Sequence, residues 1–319
     1  MMIFETRTFF AFDVPCTLVA AGPAARAALA SAEELCRRYE GLFSHTRDTS
    51  DVSRLNRAAG ARITVDSETA ELLRISLAYC AVSGGRFDIT AGELARLWNY
   101  HAARVPSEAE IKAALGHVGY RGVHVEGAEA WLDDPEARIT LGGTAKGYIA
   151  DRVREHLLAN GAVAGMVNLG GNIAMYGTRE DGLPWEVALD DPLAPGSVAA
   201  IIEVGEAAVV TSGVTERTFV RDGRAYHHIV DLATGRPVVT DIASVTVVSP
   251  EAMVGEGWST TLLAAGSAAA LALAAEHGLE IAIIRADRTM LTTPGLAPRD
   301  RRLPAHGSAA LPVPVLRLP

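Results

Sequence analysis

Residues 139–151 have the sequence ITLGGTAKGYIAD, which predicts a strand, a glycine turn and a helix in immediate succession. The strand covers residues 139–141, the turn is Gly142-Gly143, and the helix runs to Asn160-Gly161. Crowded backbone N–H groups, the positive end of the helix dipole and the Lys146 ammonium together favour phosphate binding. Neither GxxxxGK(S/T) nor GxGxxG is present. A glycine-rich helix entrance beside a solvent-exposed lysine explains the segment equally well on its own.

The first half of the chain predicts one strand followed by helices. Residues 9–20 are rich in Phe, Val and Thr and predict the opening strand. Apolar residues at three- and four-residue intervals predict a helix from near Pro23 to residue 43 and a second over residues 66–83. Residues 107–110, SEAE, form a capping box, which marks the start of a short helix.

The second half contains β-rich segments separated by turn signals. They cover residues 164–169, 185–189, 199–204, 208–211 and 225–230. A long helix from about Gly255 to His277 and a strand at residues 280–285 follow. We therefore predict an α+β fold of layered, largely antiparallel sheets with packed helices. It forms a single compact domain at residues 1–295, followed by a Pro-rich tail at residues 296–319.

The composition favours a folded protein without a nucleic-acid or membrane partner. The 319 residues are 49% hydrophobic, and 29 basic against 38 acidic residues give a net charge of -9. Surfaces that bind nucleic acid or anionic lipid need clustered Lys and Arg, which the chain lacks. The longest apolar stretch, residues 262–275, is too short to span a bilayer. No signal peptide is visible at the N-terminus, so we expect a cytoplasmic protein.

Zinc, disulfide and serine-hydrolase chemistry are disfavoured. The three cysteines are odd in number and lack CxxC spacing, which predicts small buried hydrophobic residues. Adjacent His227 and His228 would point to opposite faces of a strand, so at most one of them serves a site. No third His or Cys stands at zinc-ligand spacing, and no GxSxG motif surrounds Ser212.

Two further segments have residue types suited to ligand binding. Gly170-Gly171 follows a predicted strand and permits either a close approach of ligand and backbone or a β-bulge. Glu256 and Thr260 are four residues apart and share a helix face. A carboxylate and a hydroxyl are hard oxygen ligands that suit Mg²⁺. An acidic residue that complements the dipole in the first helical turn is the alternative.

Six motifs, in this order, resemble those of the ApbE family, the FAD:protein FMN transferases, over about residues 9–294. They are SDVSRLN at 50–56, FDIT at 87–90, AKGY at 145–148 with Asp151, NLGG at 168–171, TSG at 211–213, and HIVD at 228–231 with Thr234-Gly235. The resemblance implies a fold related to the T-fold. It also implies Mg²⁺-dependent transfer of FMN from FAD to a Ser or Thr hydroxyl of an acceptor flavoprotein, with release of AMP.

The resemblance further implies which residues form the site. The FAD contacts would be Phe12, Thr46, Arg86, Phe87, Asp88, Thr140, Lys146, Gly170, Gly171, His228 and Ile229. Mg²⁺ would be held by the Gly143 carbonyl, Glu256 and Thr260. We assign Glu256 to catalysis as the carboxylate ligand. His228 is the hypothetical base for the acceptor hydroxyl, because an imidazole titrates near neutral pH.

The sequence departs from the family pattern at four places. Glu256 stands where the family usually has Asp, and Thr140 where Asp is frequent. Residues 12–14 are Phe-Asp-Val rather than Met-Gly-Thr, and Thr46 replaces an aromatic residue that covers the flavin. Many members are exported lipoproteins, whereas this sequence shows no export signal. Hydrolysis of FAD to FMN and AMP, or FAD binding without catalysis, are the alternative functions.

Overall fold

The computed structural model describes residues 3–98, 100, 102–215, 217–296 and 315–317. In chain order, the strands are β1 Phe4–Ala11, β2 Val14–Ala21, β3 Ile63–Thr64, β4 Val123–Glu126, β5 Glu129–Leu132, β6 Ala164–Leu169, β7 Asn172–Tyr176, β8 Trp185–Asp190, β9 Val198–Val204, β10 Ala208–Gly213, β11 Thr218–Arg221, β12 Arg224–His227, β13 Val230–Asp231, β14 Arg236–Pro237, β15 Ile242–Ser249, β16 Glu280–Arg285, β17 Met290–Thr292 and β18 Val315–Arg317. The helices are α1 Ala25–Phe43, α2 Asp51–Arg57, α3 Ser67–Val82, α4 Gly92–Leu97, α5 Glu108–Leu115, α6 Ala145–Ala159, α7 Ala252–Ala265 and α8 Ser267–His277.

The chain forms two compact units, each assembled from separate stretches of sequence. Unit 1 comprises Met1–Cys36, Lys146–Thr215 and Thr240–Pro319, and unit 2 comprises Arg37–Ala145 and Glu216–Val239. Within the described ranges, no helix is both long enough and apolar enough to cross a membrane.

Unit 1 is built on a nine-stranded sheet in the order β1-β2-β6-β7-β10-β15-β16-β17-β18. All neighbouring strands are antiparallel except β17 and β18. On one face, the β8-β9 hairpin and the sheet share a buried apolar cluster that includes Val209. Helix α7 packs on the other face, where Val210 lies against Gly255. The predicted α+β class with largely antiparallel layers is confirmed.

The prediction of one opening strand at residues 9–20 was wrong, because this segment contains a hairpin turn. Strands β1 and β2 pair up to Ala11 opposite Val14, which leaves Phe12 and Asp13 as the two turn residues. Their φ angles are 56° and 60°, and positive φ at both central residues is the requirement of a type I′ turn. That turn ordinarily uses Asn and Gly, and neither marks it here.

The single helix predicted at residues 255–277 was also wrong, because the structure has two helices, α7 and α8. Gly266 separates them with a φ angle of 81°. The Asp241 carboxylate caps the second helix by accepting the Ser267 N–H at 2.9 Å. A glycine costs a helix only about 1 kcal/mol, so the apolar pattern alone does not reveal the break.

Several other elements agree with the sequence prediction. Helix α1 lies within the predicted residues 23–43, and α3 starts after its cap Asp66. Helix α5 begins with the expected capping box of Ser107 and Glu110. Strands β6 and β16 have the predicted bounds, and β8, β9 and β10 match within two residues. The strand predicted at residues 225–230 is instead divided between β12 and β13.

Residues 139–141 of unit 2 do not form the predicted strand. An isolated bridge joins Ala91 and Arg138, and the Asn56 side chain takes the place of a neighbouring strand. Its amide donates to the Ile139 carbonyl at 2.9 Å and accepts the Ile139 N–H at 2.7 Å. The Thr140 N–H donates to the Ile89 carbonyl at 2.8 Å. These bonds fix an extended segment directly before the glycine turn.

Cys16, Cys36 and Cys80 are buried and form no disulfide, as predicted. Burial raises the pKa of the Cys80 thiol to about 12. Residues 297–314 lie outside the described residues, so the boundary between a domain at 1–295 and a tail at 296–319 stays a prediction. The described strand β18 pairs with β17.

Replacement of Asn56 by Ala is expected to lower the free energy of unfolding by about 2–3 kcal/mol. The substitution leaves both backbone groups of Ile139 without their partner, and each such loss typically costs about 1–3 kcal/mol. Urea titration measures the change. Asn160→Ala removes an exposed amide that donates to the His156 carbonyl, and it should cost less than about 0.5 kcal/mol. Equal, small losses for the two variants would contradict the role given to Asn56.

Candidate active site

Glu256 is a buried carboxylate on the second turn of α7, only 4% exposed. One carboxylate oxygen accepts a hydrogen bond from the Lys146 ammonium at 2.6 Å, and the other accepts the Gly147 N–H. Both partners belong to the first turn of α6. The helix N-terminus that the sequence assigns to phosphate is therefore occupied by a carboxylate of the same chain. Glu256 does not lie in the first turn of its own helix, so the dipole alternative is not supported.

Gly147 allows α6 and α7 to approach closely at this point. A Cβ at residue 147 would lie 2.6 Å from the Ala252 carbonyl oxygen and 2.9 Å from the Met253 Cα. No side chain fits there without moving one helix. The approach brings the first turn of α6 beside the start of α7, within reach of the Glu256 side chain.

Asp151, the last residue of the AKGY motif segment, caps α7 from its place on α6. Its carboxylate accepts the Ala252 N–H at 2.9 Å and the Met253 N–H at 2.8 Å. The Arg154 guanidinium lies 3.2 Å away. Burial raises the pKa of Asp151, while the two N–H donors and Arg154 oppose that rise. The two helices thus exchange carboxylate caps, Asp151 from α6 and Glu256 from α7.

Hydrogen bonds from the sheet hold the helix that carries Glu256 and Thr260. The Ser212 hydroxyl on β10 donates to the Ser259 hydroxyl at 2.9 Å, and the Ser259 hydroxyl donates to the Glu256 backbone carbonyl at 3.3 Å. Thr260 follows Ser259 directly and is half-buried on α7. The TSG motif therefore contributes a hydrogen bond to α7 through Ser212.

Lysine is scarce in this chain. Of the 29 basic residues, only Lys112 and Lys146 are lysines. Lys146 offers a compact ammonium on a flexible stem, and the planar guanidinium of an arginine is not equivalent to it. The Lys146 side chain is 25% exposed. Its ammonium can therefore contact a ligand in addition to its partner Glu256.

Three predicted FAD contacts, Phe12, Gly170 and Gly171, lie in neighbouring turns at one end of the unit 1 sheet. Leu169 pairs with Asn172, so the two glycines form a two-residue hairpin turn rather than a bulge. Their φ angles are 62° and 95°. A Cβ on Gly170 would lie 2.6 Å from the Val14 side chain, whereas Gly171 faces open space. Gly170 is therefore required for packing against Val14, whereas the space beside Gly171 is open.

The predicted FAD contacts at residues 86–88 belong to unit 2, where two of them have internal roles. The Asp88 carboxylate is buried and accepts the Thr90 N–H at 2.8 Å, the Thr90 hydroxyl at 2.6 Å and the Tyr120 N–H at 2.9 Å. The Phe87 ring packs against Gly143, where a Cβ would lie 2.7 Å from the ring. Arg86 is exposed, and both its guanidinium and its backbone N–H donate to the Ser83 carbonyl at 3.3 Å.

The remaining predicted site residues of unit 2 lie in loops. Thr46 is exposed and its hydroxyl is 3.0 Å from that of Ser44. The Thr140 hydroxyl accepts the Gly142 N–H at 3.3 Å. His228 lies between β12 and β13, and its backbone N–H donates to the Arg217 carbonyl at 3.1 Å. Ile229 is buried.

The predicted site residues divide between the units. Unit 1 contains Phe12, Lys146, Gly170, Gly171, Glu256 and Thr260, and unit 2 contains Thr46, Arg86, Phe87, Asp88, Thr140, Gly143, His228 and Ile229. Of these, the structure brings Lys146 together with Glu256 in unit 1, and Phe87 with Gly143 in unit 2. Across the described residues, no group of three or more His, Cys, Asp or Glu side chains is arranged to hold a metal. The predicted metal ligands include only one such side chain, Glu256.

Comparison with known proteins decides the family. The model of the ApbE family matches residues 11–284. The chain belongs to the ApbE family. Two relatives, both named FAD:protein FMN transferase, are each 34% identical to it. The one from Treponema pallidum aligns over 88% of this chain and 83% of its own length, and the one from Klebsiella pneumoniae over 73% and 74%.

Solved ApbE structures have the same fold. The crystal structure of the ApbE protein from Thermotoga maritima superposes with a TM-score of 0.83 at 30% identity, covering 93% of this chain and 97% of the other. The flavin transferase ApbE from Vibrio cholerae gives a TM-score of 0.80 at 26% identity, covering 89% and 94%. The family assignment made from the six motifs is confirmed.

The ApbE motifs also contain residues to which the sequence assigned no role. Asp151 and Ser212 stand inside quoted motifs, yet their partners on α7 lie 101 and 47 residues away. Asn56 closes the SDVSRLN motif, and its partner Ile139 is 83 residues away. The place of these polar residues inside the motifs is the sequence signal that could have indicated such roles.

Replacement of Lys146 by Met is expected to destabilise the protein by about 1–3 kcal/mol, because it leaves the buried Glu256 carboxylate without a cation. The double variant Lys146→Met, Glu256→Gln should recover part of that loss, since an amide is cheaper to bury than a charge. Urea unfolding of the four proteins in the cycle measures the coupling. Lys112→Met, at an exposed lysine, is the matched control. Wild-type stability in Lys146→Met would show that the ion pair contributes nothing.

His227 in unit 2 makes stability depend on pH. Burial lowers its pKa, although a hydrogen bond between Nε2 and the Val238 carbonyl at 3.1 Å opposes the shift. A depressed pKa means that the folded state favours neutral imidazole. The stabilisation that neutral His227 gives the folded state is therefore complete above about pH 6.5, the pKa of histidine in the unfolded chain. It is lost as the pH falls through the lower pKa of His227 in the folded protein. His227→Gln keeps a donor for Val238 and cannot titrate. The free energy of unfolding of the wild type, relative to that of this variant, should decrease as the pH is lowered from 7.5 to 5.5. A difference that does not change with pH would contradict the assignment.

Proposed function

We propose that this protein transfers the FMN half of FAD to a Ser or Thr hydroxyl of an acceptor flavoprotein, with Mg²⁺ as the required metal. The hydroxyl oxygen bonds to the phosphorus on the FMN side, the bond from that phosphorus to the bridging oxygen breaks, and AMP leaves with that oxygen. The names of the curated relatives support FAD as the donor and a protein as the acceptor. The observation that carries the proposal is the buried Glu256 carboxylate held against the only ammonium of the α6 N-terminus.

The residues on α7 fit a magnesium ion. Glu256 provides carboxylate oxygens and Thr260 a hydroxyl, four residues apart on one helix, and both are hard donors of the kind that Mg²⁺ prefers. A bound Mg²⁺ would neutralise charge on the pyrophosphate and so favour the departure of AMP.

Lys146 stands where its ammonium can pair with either of two anions, the Glu256 carboxylate or the pyrophosphate of FAD. In the structure its ammonium donates to the Glu256 carboxylate at 2.6 Å and neutralises its charge. An FAD pyrophosphate offers the ammonium an alternative anion, and a flexible, quarter-exposed side chain can turn toward it. Breaking the Lys146–Glu256 pair without leaving a buried charge requires a new anion for the lysine and a new cation for the glutamate. FAD together with Mg²⁺ provides both.

His228 remains our proposed base for the acceptor hydroxyl. It lies between two short strands, with its backbone held by Arg217. An imidazole at this place can accept the hydroxyl proton as the oxygen attacks. His228→Ala should lower the rate of transfer by a larger factor than it weakens FAD binding, with the affinity measured by flavin fluorescence. A near-normal rate in that variant would remove His228 from the mechanism.

The transfer reaction can be tested directly with purified protein, FAD, Mg²⁺ and a panel of peptides that each contain one Ser or Thr. We expect an FMN ester on the hydroxyl peptide by mass spectrometry, AMP in equal amount, and no product after EDTA treatment. Glu256→Gln and Lys146→Met should each lower the rate by roughly 100-fold or more, the usual effect of removing one charged or hydrogen-bonding group from a transition state. Lys112→Met should leave it unchanged.

The matched peptide with Ala in place of Ser or Thr distinguishes transfer from hydrolysis. FMN released at the same rate with the Ala peptide would identify an FAD hydrolase and contradict the proposal. FAD that binds but is never consumed would identify a flavin-binding protein without catalysis.

A further inference from the structure

Helices α6 and α7 each provide a carboxylate that caps the N-terminus of the other helix. One of these carboxylates, Asp151, has no part in the proposed chemistry. Glu256 of α7 accepts the Gly147 N–H at the start of α6. Asp151 of α6 accepts the N–H groups of Ala252 and Met253 at the start of α7. Each carboxylate satisfies donors that a helix N-terminus leaves without an internal partner. The pair of caps therefore joins two helices rather than ending each one separately.

The caps fix the position of α7 along α6. Asp151 is five residues after Lys146 on one helix, and Glu256 is four residues after Ala252 on the other. Because a helix is rigid over one or two turns, the bonds from Asp151 to the start of α7 determine where the Glu256 carboxylate meets the Lys146 ammonium. The close contact between Gly147 and Ala252 leaves no space in which α7 could slide toward α6.

We propose that Asp151 is a positioning residue, which holds α7 so that Glu256 and Thr260 keep the place relative to Lys146 that flavin transfer requires. The effect of Asp151 on flavin transfer rests on the proposed function. The Lys146–Glu256 contact that Asp151 would hold in place can be measured without flavin. Asp151 is buried and bonded to backbone, so it acts through α7 and does not contact reactants. A side chain that only stabilised the fold would affect unfolding and leave the Lys146–Glu256 contact intact.

The chain offers a matched control in the next helix. Asp241 caps α8 in the same manner, since its carboxylate accepts the Ser267 N–H at 2.9 Å and the Ser267 hydroxyl. None of the proposed site residues lies on α8. Asp241→Asn and Asp151→Asn should therefore weaken one helix cap each, while only the second variant affects the site.

The two-lysine composition makes the contact measurable. An amine-acylating reagent labels Lys112 and Lys146 at rates that peptide mass spectrometry resolves, and exposed Lys112 is an internal reference. Without FAD or metal, Asp151→Asn should raise the labelling rate of Lys146 relative to Lys112 by about fivefold, the factor that corresponds to the loss of one hydrogen bond, because the Asn side chain has one acceptor oxygen for the two N–H groups. Asp241→Asn should change this ratio by less than about twofold.

Transfer kinetics then test whether the position of α7 matters for the reaction. In the transfer assay, Asp151→Asn should raise the Mg²⁺ concentration for half-maximal rate by roughly tenfold, as for loss of a residue that orients a metal ligand, with a smaller change in the KM for FAD. Asp241→Asn should change neither. If Asp151→Asn does not fold, Arg154→Gln is the milder variant, because Arg154 contacts both Asp151 and the Pro250 carbonyl. It should raise the labelling ratio in the same direction.

The outcomes separate the two claims. An unchanged labelling ratio in Asp151→Asn, or an equal rise in Asp241→Asn, would overturn the positioning role even if transfer occurs. Wild-type protein that transfers no FMN would overturn the proposed function, and the labelling ratio would still decide whether Asp151 holds α7 against Lys146.

Discussion

The burial of the Glu256 carboxylate is the constraint on which the arrangement of α6 and α7 depends. A charge that is 4% exposed needs a cation and hydrogen-bond donors close by. The Lys146 ammonium and the Gly147 N–H supply them, and both are available only at the start of a helix that approaches α7 within backbone contact. The glycine that permits this approach is thus as necessary to the site as the charged pair.

The nine-stranded sheet provides the rigid base for this pair. Strand β10 contacts α7 through Val210, which packs at Gly255, and through Ser212, which donates to Ser259. An apolar contact and a polar contact two residues apart on one strand fix both the distance and the rotation of the helix. The other face of the same strand belongs to the apolar cluster beneath β8 and β9. Packing of the core therefore determines the direction in which the Glu256 side chain points.

Sequence periodicity was sufficient for the long amphipathic elements and insufficient for turns and breaks. Helices α1 and α3 and strands β6 and β16 follow patterns of apolar residues that depend only on local geometry. The turn at Phe12-Asp13 has positive φ at both residues but lacks the Asn-Gly or Asp-Gly pair that usually marks such a turn. Gly266 lies in an Ala-rich run where one glycine is tolerated. Residues 139–141 are held by the side chain of Asn56, which no local pattern can show.

For the candidate site, the sequence indicated which residues are important better than it indicated which side chains and backbone groups they contact. The place of Lys146 at a helix start predicts a phosphate contact, and the structure shows the Glu256 carboxylate, 110 residues away, bonded to its ammonium. Asp88 stays a predicted FAD contact, and the structure adds that its carboxylate accepts hydrogen bonds from Thr90 and Tyr120. Both outcomes have one physical cause: a buried anion takes the nearest donors, whichever part of the chain supplies them. A ligand that displaces one member of the Lys146–Glu256 pair must satisfy the other as well. Electrostatics therefore favours a ligand that brings charges of both signs over an anion or a cation alone.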